Sequence, residues 1–424
     1  MSTQATLTRS SWRYGLLGWP LAFVSLPLYV TLPRHYAEQY GMPLGTLGAI
    51  LLLTRLLDAT LDPYIGQRVD RWFADRALAP WRAAALAALC MALGFACLWH
   101  PPVRGQALLV WLCISLVITY LSFSVVSMVH QAWGARWGGN AAERAHVVAW
   151  REGAALVGVL TASILPAWLG LSVTSLVLAL GLLCGLWALH TTLSPDSGAT
   201  GQPETVAASS GDLTAPWRVP SFVALMIVFL LNGTASAIPA TLLPFFVRDT
   251  LQSAAWEPTF LGAYFLAAAL GLPIWVRLTR RWGLGACWLA GMLMAIIAFC
   301  AVPWLGAGDN NAFLLICVFT GFALGADLAI PGALLTGLIH HNGLGQQQEG
   351  QFFGWWTAAT KLNLALASGL ALPILAWAGY QTGVASTDNQ HILGWTYGGL
   401  PCLFKLAAAA WLWRSLQRHS DLKA

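Results

Sequence analysis

The sequence predicts an all-α membrane protein with twelve transmembrane helices in two six-helix halves. Of its 424 residues, 58% are hydrophobic and only 9% are charged, whereas soluble domains carry about 25% charged residues. The apolar residues stand in long blocks rather than in short alternating runs, which excludes a β-barrel. One long polar stretch near the middle of the chain divides these blocks into six and six.

Each predicted helix is an apolar run of about 20 residues, the length that crosses a bilayer. The first run has this full length and no clear cleavage site follows it, so it is predicted to be a retained helix rather than a signal peptide. The helices are predicted near residues 13–34, 43–66, 82–100, 105–131, 147–169, 172–193, 219–247, 257–278, 284–305, 311–338, 351–379 and 391–414.

The polar stretch 194–216 is rich in Ser, Gly, Thr and Ala and predicts a flexible linker. We therefore predict an N-terminal half over 1–193, a cytoplasmic linker over 194–218 and a C-terminal half over 219–424. With both termini in the cytoplasm, sixteen Lys and Arg residues fall at cytoplasmic helix ends and three at the opposite ends. This positive-inside bias predicts a multi-pass plasma-membrane protein, in the inner membrane if the source is bacterial.

Several functional classes are not supported by the sequence. The eight cysteines stand singly in apolar runs, which indicates packing residues rather than disulfides or metal ligands. No nucleophile–base pair suggests an enzyme, no soluble output domain suggests a sensor, and nothing suggests nucleic-acid binding. We expect no metal and no cofactor, a lipid bilayer around the chain, and a monomer.

The second predicted helix carries an unusual charged stripe. Arg55, Asp58 and Asp62 lie at i, i+3 and i+7, which places all three on one helical face. A charge at the centre of a membrane helix costs about 2.5–3.5 kcal/mol on insertion scales, so such residues face a bundle interior or a wet cavity and mark an ion or substrate site. The alternative is an ion network that serves structure alone.

Two further sets of residues are candidates for the same function. Asp327 lies within predicted helix ten, where it is a second proton carrier, a substrate anchor or the partner of a basic residue in the bundle. Aromatic faces stack on sugar rings and also wrap apolar chains, so Trp19, Trp355 and Trp356 are candidates for substrate contact, with lipid-facing packing as the alternative.

Two corresponding segments of the halves resemble each other. Gly66-Gln-Arg-Val-Asp70-Arg71 follows predicted helix two, and Gly271 to Arg281 follows predicted helix eight. Two parallel six-helix halves are the architecture of the major facilitator superfamily, and the first segment resembles that superfamily's loop motif between helices two and three. Asp70 and Arg71 are therefore expected to cap and lock the cytoplasmic loops by ion pairs between the halves, and Gly66 is a gating residue of the same segment.

Three spaced motifs resemble a narrower family, the glycoside–pentoside–hexuronide:cation symporters related to melibiose permease. R-L-L-D-A-T-L-D-P-Y-I-G in helix two is similar to its R-x-x-D-A-x-x-D-P-x-x-G signature. E-R-A-H-V-V-A-W-R-E-G resembles the entry into helix five, and E-G-Q-F-F-G-W-W-T-A-A-T-K resembles the helix-eleven segment. Eukaryotic lysolipid symporters share these motifs, so the motifs leave the substrate class open.

The resemblance implies roles for particular residues. Asp58 and Asp62 match the two carboxylates that bind the coupling cation, Lys361 matches the helix-eleven lysine beside the cation and substrate sites, and Arg151 matches the helix-five arginine of the substrate region. Glu152 either neutralises Arg151 or forms a gate salt bridge with it.

The chemistry of the carboxylate pair fits either of two cations. Asp58 and Asp62 supply oxygen ligands for Na⁺, together with Ser122, Ser124 or Thr357. The same pair is also able to share a proton, because two carboxylates held close in a low dielectric do not both stay ionised cheaply. Lys361 then serves as the counter-ion when the cation is absent.

The sequence also departs from the family pattern. The acidic residues that the sugar permeases carry in helices one and four fall here at Gly18-Trp19-Pro20 and Ser122-Phe123-Ser124. Their absence puts galactoside-type recognition in doubt and favours H⁺ over Na⁺.

Taken together, these features predict a secondary symporter, coupled to Na⁺ or H⁺, that moves a small solute by alternating access. A sugar or glycoside is the expected substrate. The alternatives are a lysolipid or amphiphile symporter of the same fold, which the many Trp residues favour, and a proton-coupled drug exporter.

Overall fold

A computed structural model describes residues 10–75, 79–192, 212–345, 347–380, 387–419 and 422. Within these residues the chain is helical and contains no β-strand. We number the helices by chain order: α1 Gly18–Leu26, which continues through a π turn Pro27–Thr31 into Leu32–Tyr40; α2 Leu44–Asp75; α3 Ala79–Trp99; α4 Gln106–Ala135; α5 Ala141–Pro166; α6 Trp168–His190; α7 Pro220–Phe245; α8 Glu257–Trp282; α9 Leu284–Phe299; α10 Asn310–His341; α11 Glu349–Trp377; and α12 Thr387–Gly394, which continues through a π turn Trp395–Gly399 into Leu400–Arg418.

Among the described residues, nine helices are long and apolar enough to cross a membrane, namely α3 to α11. The α2 helix has the length but carries the charged stripe, and α1 and α12 are each interrupted by a π turn. The protein is therefore a multi-pass, all-α membrane protein, and the count of twelve spans stays a prediction.

The helices pack into two compact units. The first comprises Met1–Gly139, His146–Ala215 and Ile339–Ala358, and the second comprises Asn140–Ala145, Pro216–Leu338 and Ala359–Ala424. The first unit thus includes the first turns of α11 in addition to helices from the N-terminal part of the chain. Its core is built on large buried side chains such as Tyr14, Phe23, Phe95 and Trp99. The second unit has its own core around Phe246, Phe260, Phe313 and Tyr397.

One predicted boundary is wrong in a way that matters for function. The second helix was expected to end near residue 66, but α2 continues to Asp75. Gly66, Asp70 and Arg71 therefore lie on the helix rather than in a loop. Asp70 is buried in this added stretch and has partners on α11, as described below.

The predicted linker lies mostly outside the described residues, which begin again at Asp212. There the Asp212 carboxylate accepts hydrogen bonds from the backbone N–H and the hydroxyl of Thr214. A 3₁₀ turn, Ala215–Arg218, then leads into α7.

Candidate functional site

The charged stripe of α2 lies in the interior of the first unit. Asp62 is fully buried and Asp58 is 3% exposed. The two carboxylates are four residues apart on one helix, so they lie one turn apart on the same face. Buried carboxylates in a membrane-spanning bundle are costly unless they are partnered or bind a cation.

Helix α4 supplies a hydroxyl to this pair. The Ser124 hydroxyl donates a hydrogen bond of 2.9 Å to Oδ1 of Asp58. Ser122 is also buried, but it makes no hydrogen bond to either carboxylate within the described part of the chain. Residues two apart on a helix point in very different directions, so α4 presents one of the two predicted serines to Asp58.

Helix α11 approaches the same face of α2. A Cβ atom added at Gly354 would lie 2.7 Å from the carbonyl oxygen of Asp62. Thr357 lies one turn further along α11, and its buried hydroxyl has no hydrogen-bond partner among the described residues. This hydroxyl is therefore available to a ligand at the depth of the carboxylates.

A proline adds a backbone oxygen to this region. Pro63 lies inside α2 and has no amide hydrogen, so the carbonyl of Ala59 cannot receive its usual helical hydrogen bond. The carbonyl of Ala59, the residue after Asp58, is thus a further candidate oxygen ligand on α2.

The two basic residues predicted near the pair occupy different surroundings. The Arg55 guanidinium lies 5.9 Å from the ring centroid of Tyr120, where a cation–π contact steadies the side chain. Lys361 lies on α11 in the second unit, whereas Asp58 and Asp62 belong to the first. Its role as their counter-ion stays a prediction.

Asp70 holds the beginning of α11 against α2. Its Oδ1 accepts a 2.6 Å hydrogen bond from the backbone N–H of Gly350, and its Oδ2 accepts one of 2.8 Å from the N–H of Gln351. The first backbone N–H groups of a helix lack intrahelical partners and favour a negative charge. A carboxylate from α2 therefore caps α11.

Two further residues complete this contact, and we call the set Asp70, Arg136 and Glu349 the α2–α11 clamp. Arg136 lies 3.1 Å from the Glu349 carboxylate and 3.8 Å from that of Asp70. Its guanidinium also lies 4.1 Å from the ring centroid of Phe73. All three members of the clamp are buried, so their ion pairs are little screened by water.

The cation of this contact is not the one that the sequence predicts. Arg71, the predicted partner, is exposed and forms no ion pair within the described residues, whereas Arg136, at the end of α4, supplies the charge. Nothing in the local sequence pattern marks Arg136, because it is one of many basic residues at helix ends and its partners are distant in the chain.

Gly66 permits the close approach of the two helices. A Cβ atom at Gly66 would lie 2.1 Å from the carbonyl oxygen of Gly350, and one at Gly350 would lie 2.2 Å from the carbonyl oxygen of Gly66. Because neither distance is compatible with a side chain, both positions require glycine while this contact is made.

The predicted pair on α5 is present. The Arg151 guanidinium donates two hydrogen bonds, of 2.9 and 2.8 Å, to one carboxylate oxygen of Glu152. Both side chains are partly buried. The pair is thus charge-neutral and lies in the first unit.

The three candidate tryptophans are engaged in packing contacts. The ring of Trp19 packs against Phe23 and covers Gly181 of α6, where a Cβ atom would lie 2.2 Å from the ring. The indole N–H of Trp355 donates a 2.9 Å hydrogen bond to the carbonyl of Leu213. Trp356 is buried.

Asp327 in the second unit has a basic partner, one of the possibilities that the sequence left open. Its Oδ2 lies 3.0 Å from Nζ of Lys405 on α12, and its Oδ1 accepts hydrogen bonds from Asn232 and from the indole of Trp288. Lys405 was not among the predicted site residues, although a lysine in an apolar helix was a signal for it.

A polar group also lies beyond the C-terminal end of α11. The Tyr380 hydroxyl donates a short hydrogen bond to Asp249, which also accepts one of 2.9 Å from Arg248. Burial and the neighbouring Asp249 carboxylate raise the pKa of the Tyr380 phenol, so it remains a hydrogen-bond donor at neutral pH.

A bundle of long apolar helices with a buried carboxylate pair on one of them is the mark of a polytopic membrane transporter. The family described as "MFS/sugar transport protein" matches residues 13–416, and the chain belongs to this family. The resemblance to melibiose-permease relatives that the motifs indicated is thereby confirmed.

Known proteins of similar sequence have transporter names. The chain is 27% identical over 154 residues to the "Putative glycoside/cation symporter YagG" of Escherichia coli K12 and 21% identical over 173 residues to the "Sodium-dependent lysophosphatidylcholine symporter 1-A" of Danio rerio. These matches cover 35% and 40% of the chain, and the chain spans about a third of either relative, 33% and 32%. A third relative, the "Putative sulfoquinovose importer" of Salmonella typhimurium LT2, is 22% identical over 89% of the chain and 82% of its own length.

The fold is similar to that of a solved transporter. A bacterial homologue of the iron transporter ferroportin, in an outward-facing state, matches 99% of this chain and 100% of its own with a TM-score of 0.70. The sequence identity is 15%, so this likeness concerns the fold alone.

Proposed function

We propose that this protein is a cation-coupled secondary symporter that moves a small solute, a sugar or glycoside, by alternating access. Two relatives with transporter names of this kind, the glycoside/cation symporter and the sulfoquinovose importer, support the substrate class. The buried carboxylates Asp58 and Asp62 are the proposed cation site. Lys361, Arg151 and Arg55 are proposed to link the cation to the substrate.

The observation that carries this proposal is the surroundings of Asp58. A membrane-buried carboxylate receives a hydroxyl from α4, with a second, unpartnered hydroxyl on α11 and a freed carbonyl nearby. An ion network that served structure alone would be expected to satisfy the Thr357 hydroxyl internally. An unsatisfied hydroxyl on the helix that packs against α2 at Asp62 favours a site that a cation enters and leaves.

The α2–α11 clamp supports the alternating-access part of the proposal. Asp70 and Arg136 fasten the first turn of α11 to helices of the first unit, at the helix ends that the charge distribution predicts to be cytoplasmic. We propose that the clamp closes this side and that transport requires it to open. The same charge distribution supports a cytoplasmic location for both termini.

A lysolipid substrate is the second candidate. The similarity to a relative named as a lysophosphatidylcholine symporter favours it, as does the absence of acidic side chains at the positions in helices one and four where sugar permeases carry them. The 23 Trp residues provide apolar faces that suit an acyl chain as well as a sugar ring.

The experiment is transport into proteoliposomes with an imposed Na⁺ or H⁺ gradient, using glycosides, a sulfonated sugar and a lysolipid as separate solutes. We expect gradient-dependent accumulation of a sugar-class solute. Accumulation of the lysolipid alone would select the second candidate. If no solute accumulated with either gradient, the symporter proposal would be wrong.

A pair of substitutions on α2 tests the cation site. Asp58→Asn should abolish gradient-driven accumulation while leaving the protein folded, because asparagine keeps the shape of the side chain and loses the charge. Asp75→Asn is the matched control, since Asp75 is an exposed carboxylate at the end of the same helix. Normal accumulation by the Asp58 variant would rule out a coupling role for that residue.

A further inference from the structure

The second unit contains a cavity that the proposed cation site does not use. Its volume is about 150 Å³, and its lining comes from α7, α8, α9, α10 and α12. Five aromatic side chains form much of its wall: Phe260, Tyr264, Phe265, Phe299 and Tyr397. A cavity of about 150 Å³ lined by apolar side chains is large enough to bind benzene, so a single six-membered ring fits here.

One end of this cavity is charged. Asp327 and Lys405 both line it, and their ion pair has side-chain exposures of 12% and 11%. Asn232 accepts a 2.6 Å hydrogen bond from Lys405 and donates one of 3.0 Å to Asp327. Trp288 donates a further one of 2.8 Å to Asp327.

The hydrogen bonds at this end leave one donor unused. A lysine ammonium has three N–H groups, and Lys405 donates to Asn232 and Asp327. The third N–H of Lys405 has no acceptor among the described residues. On Asp327, Oδ1 accepts two hydrogen bonds and Oδ2 accepts one, so Oδ2 retains room for a second donor.

These features define the chemistry of a ligand. The ion pair is neutral overall, so it offers no net attraction to an anion or a cation that must leave water. A hydroxyl group is able both to accept from Lys405 and to donate to Asp327. The aromatic wall favours a flat or compact ring over a flexible chain.

We propose that this cavity is a binding site for a neutral, single-ring alcohol or phenol, with its ring among the aromatic side chains and its hydroxyl on the Asp327–Lys405 pair. The site lies within the second unit and does not depend on the symport proposal. Its test therefore measures binding rather than transport.

The probe is 4-fluorophenol, followed by ¹⁹F NMR relaxation with the full-length protein in lipid nanodiscs at pH 7. Fluorobenzene has the same ring without the hydroxyl, and 4-fluorobenzoate carries a negative charge. We expect 4-fluorophenol to bind at least about fivefold more tightly than fluorobenzene, because the hydroxyl satisfies two buried polar groups. The benzoate should bind more weakly than the phenol.

Two variants separate the cavity from partition into lipid. Ala295→Leu adds carbon atoms to a residue that lines the cavity and should reduce binding of both neutral rings at least tenfold. Ala286→Leu is the matched control, because Ala286 is exposed on the same helix and does not line the cavity. If both variants bound the phenol equally well, the site would not be this cavity.

A double variant tests the charged end. Asp327→Asn with Lys405→Met removes both charges together and leaves neither one buried alone. It should retain fluorobenzene binding and lose the preference for the phenol. If it fails to fold, the comparison of the phenol with fluorobenzene on the unaltered protein still decides, since equal affinities would overturn the proposed polar contact.

Discussion

Ser124 is the residue whose hydroxyl is bonded directly to the proposed cation site. Its hydroxyl donates to Asp58 from a different helix, so it fixes one oxygen of a carboxylate that we propose binds the cation. A hydrogen bond to a charged group contributes about 1.5–3 kcal/mol. The position of the Asp58 carboxylate therefore depends on the Ser124 hydroxyl, and removal of this hydroxyl should change transport measurably.

Ser124→Ala should change the ion concentration that gives half-maximal uptake by about tenfold, since 1.4 kcal/mol corresponds to a factor of ten. For Na⁺ this concentration should rise because a ligand is lost. Uptake in proteoliposomes at graded Na⁺ or H⁺ concentration measures the effect.

Ser122→Ala is the control, two residues away on the same helix. Ser122 is also buried but donates to neither carboxylate, so its substitution should change this concentration less than about twofold. If Ser122→Ala and Ser124→Ala changed this concentration equally, the hydrogen bond from Ser124 to Asp58 would not be what sets it.

At the scale of elements, the α2–α11 clamp joins a helix end to a helix side. Two backbone N–H groups of α11 are bonded to one carboxylate of α2, so the protection of these amides reports directly on the clamp. Asp70→Asn replaces one of the accepting oxygens by an amide donor and removes the charge that the helix terminus favours.

Hydrogen–deuterium exchange in the peptide that contains Gly350 and Gln351 should be about tenfold faster in Asp70→Asn, because one bond worth at least 1.4 kcal/mol is lost. Arg71→Gln is the control, since Arg71 is adjacent but exposed, and it should leave exchange unchanged. Unchanged exchange in the Asp70 variant would show that the clamp does not hold α11.

The close packing of α2 on α11 also has a testable consequence. Gly66→Ala introduces a Cβ atom 2.1 Å from a backbone oxygen, so the helices must separate, at a cost of about 1–3 kcal/mol for overpacking. The protein should unfold at a lower temperature in detergent. Gly48→Ala, on the same helix with no atom within 4 Å of the added Cβ, should not be destabilised.

These elements also show how far the sequence was informative. The positions of α2 and its stripe followed from local periodicity and the cost of membrane charges. The partners of the stripe did not, because Ser124 and Thr357 were only two of three hydroxyls that the sequence offered as candidates. Arg136 and Lys405 were missed since each acquires its role from a residue dozens to hundreds of positions away, and such a contact leaves no local pattern.

At the scale of the whole molecule, the described residues gather buried charges into small groups. The first unit holds the stripe and the clamp, and the second holds the Asp327–Lys405 pair. The apolar remainder meets the lipid, where many large side chains such as Trp168, Trp187 and Trp377 are exposed. The concentration of polar groups in interior sites agrees with the transporter family to which the chain belongs.

We propose that the number of oxygen ligands at the stripe decides which ion is coupled to transport. Asp58, Asp62, Ser124 and Thr357 form a thinner set than that of relatives with additional acidic residues in helices one and four. A proton needs one carboxylate, whereas Na⁺ needs several oxygens around it. We therefore expect an inward H⁺ gradient to drive uptake of the solute into proteoliposomes without Na⁺, and an inward Na⁺ gradient at equal pH to leave uptake at the passive level. A protonophore should abolish the H⁺-driven uptake, which separates coupling from a direct effect of pH on the substrate. Uptake that responds to Na⁺ and is insensitive to the protonophore would instead mean that backbone carbonyls such as that of Ala59 complete a sodium site.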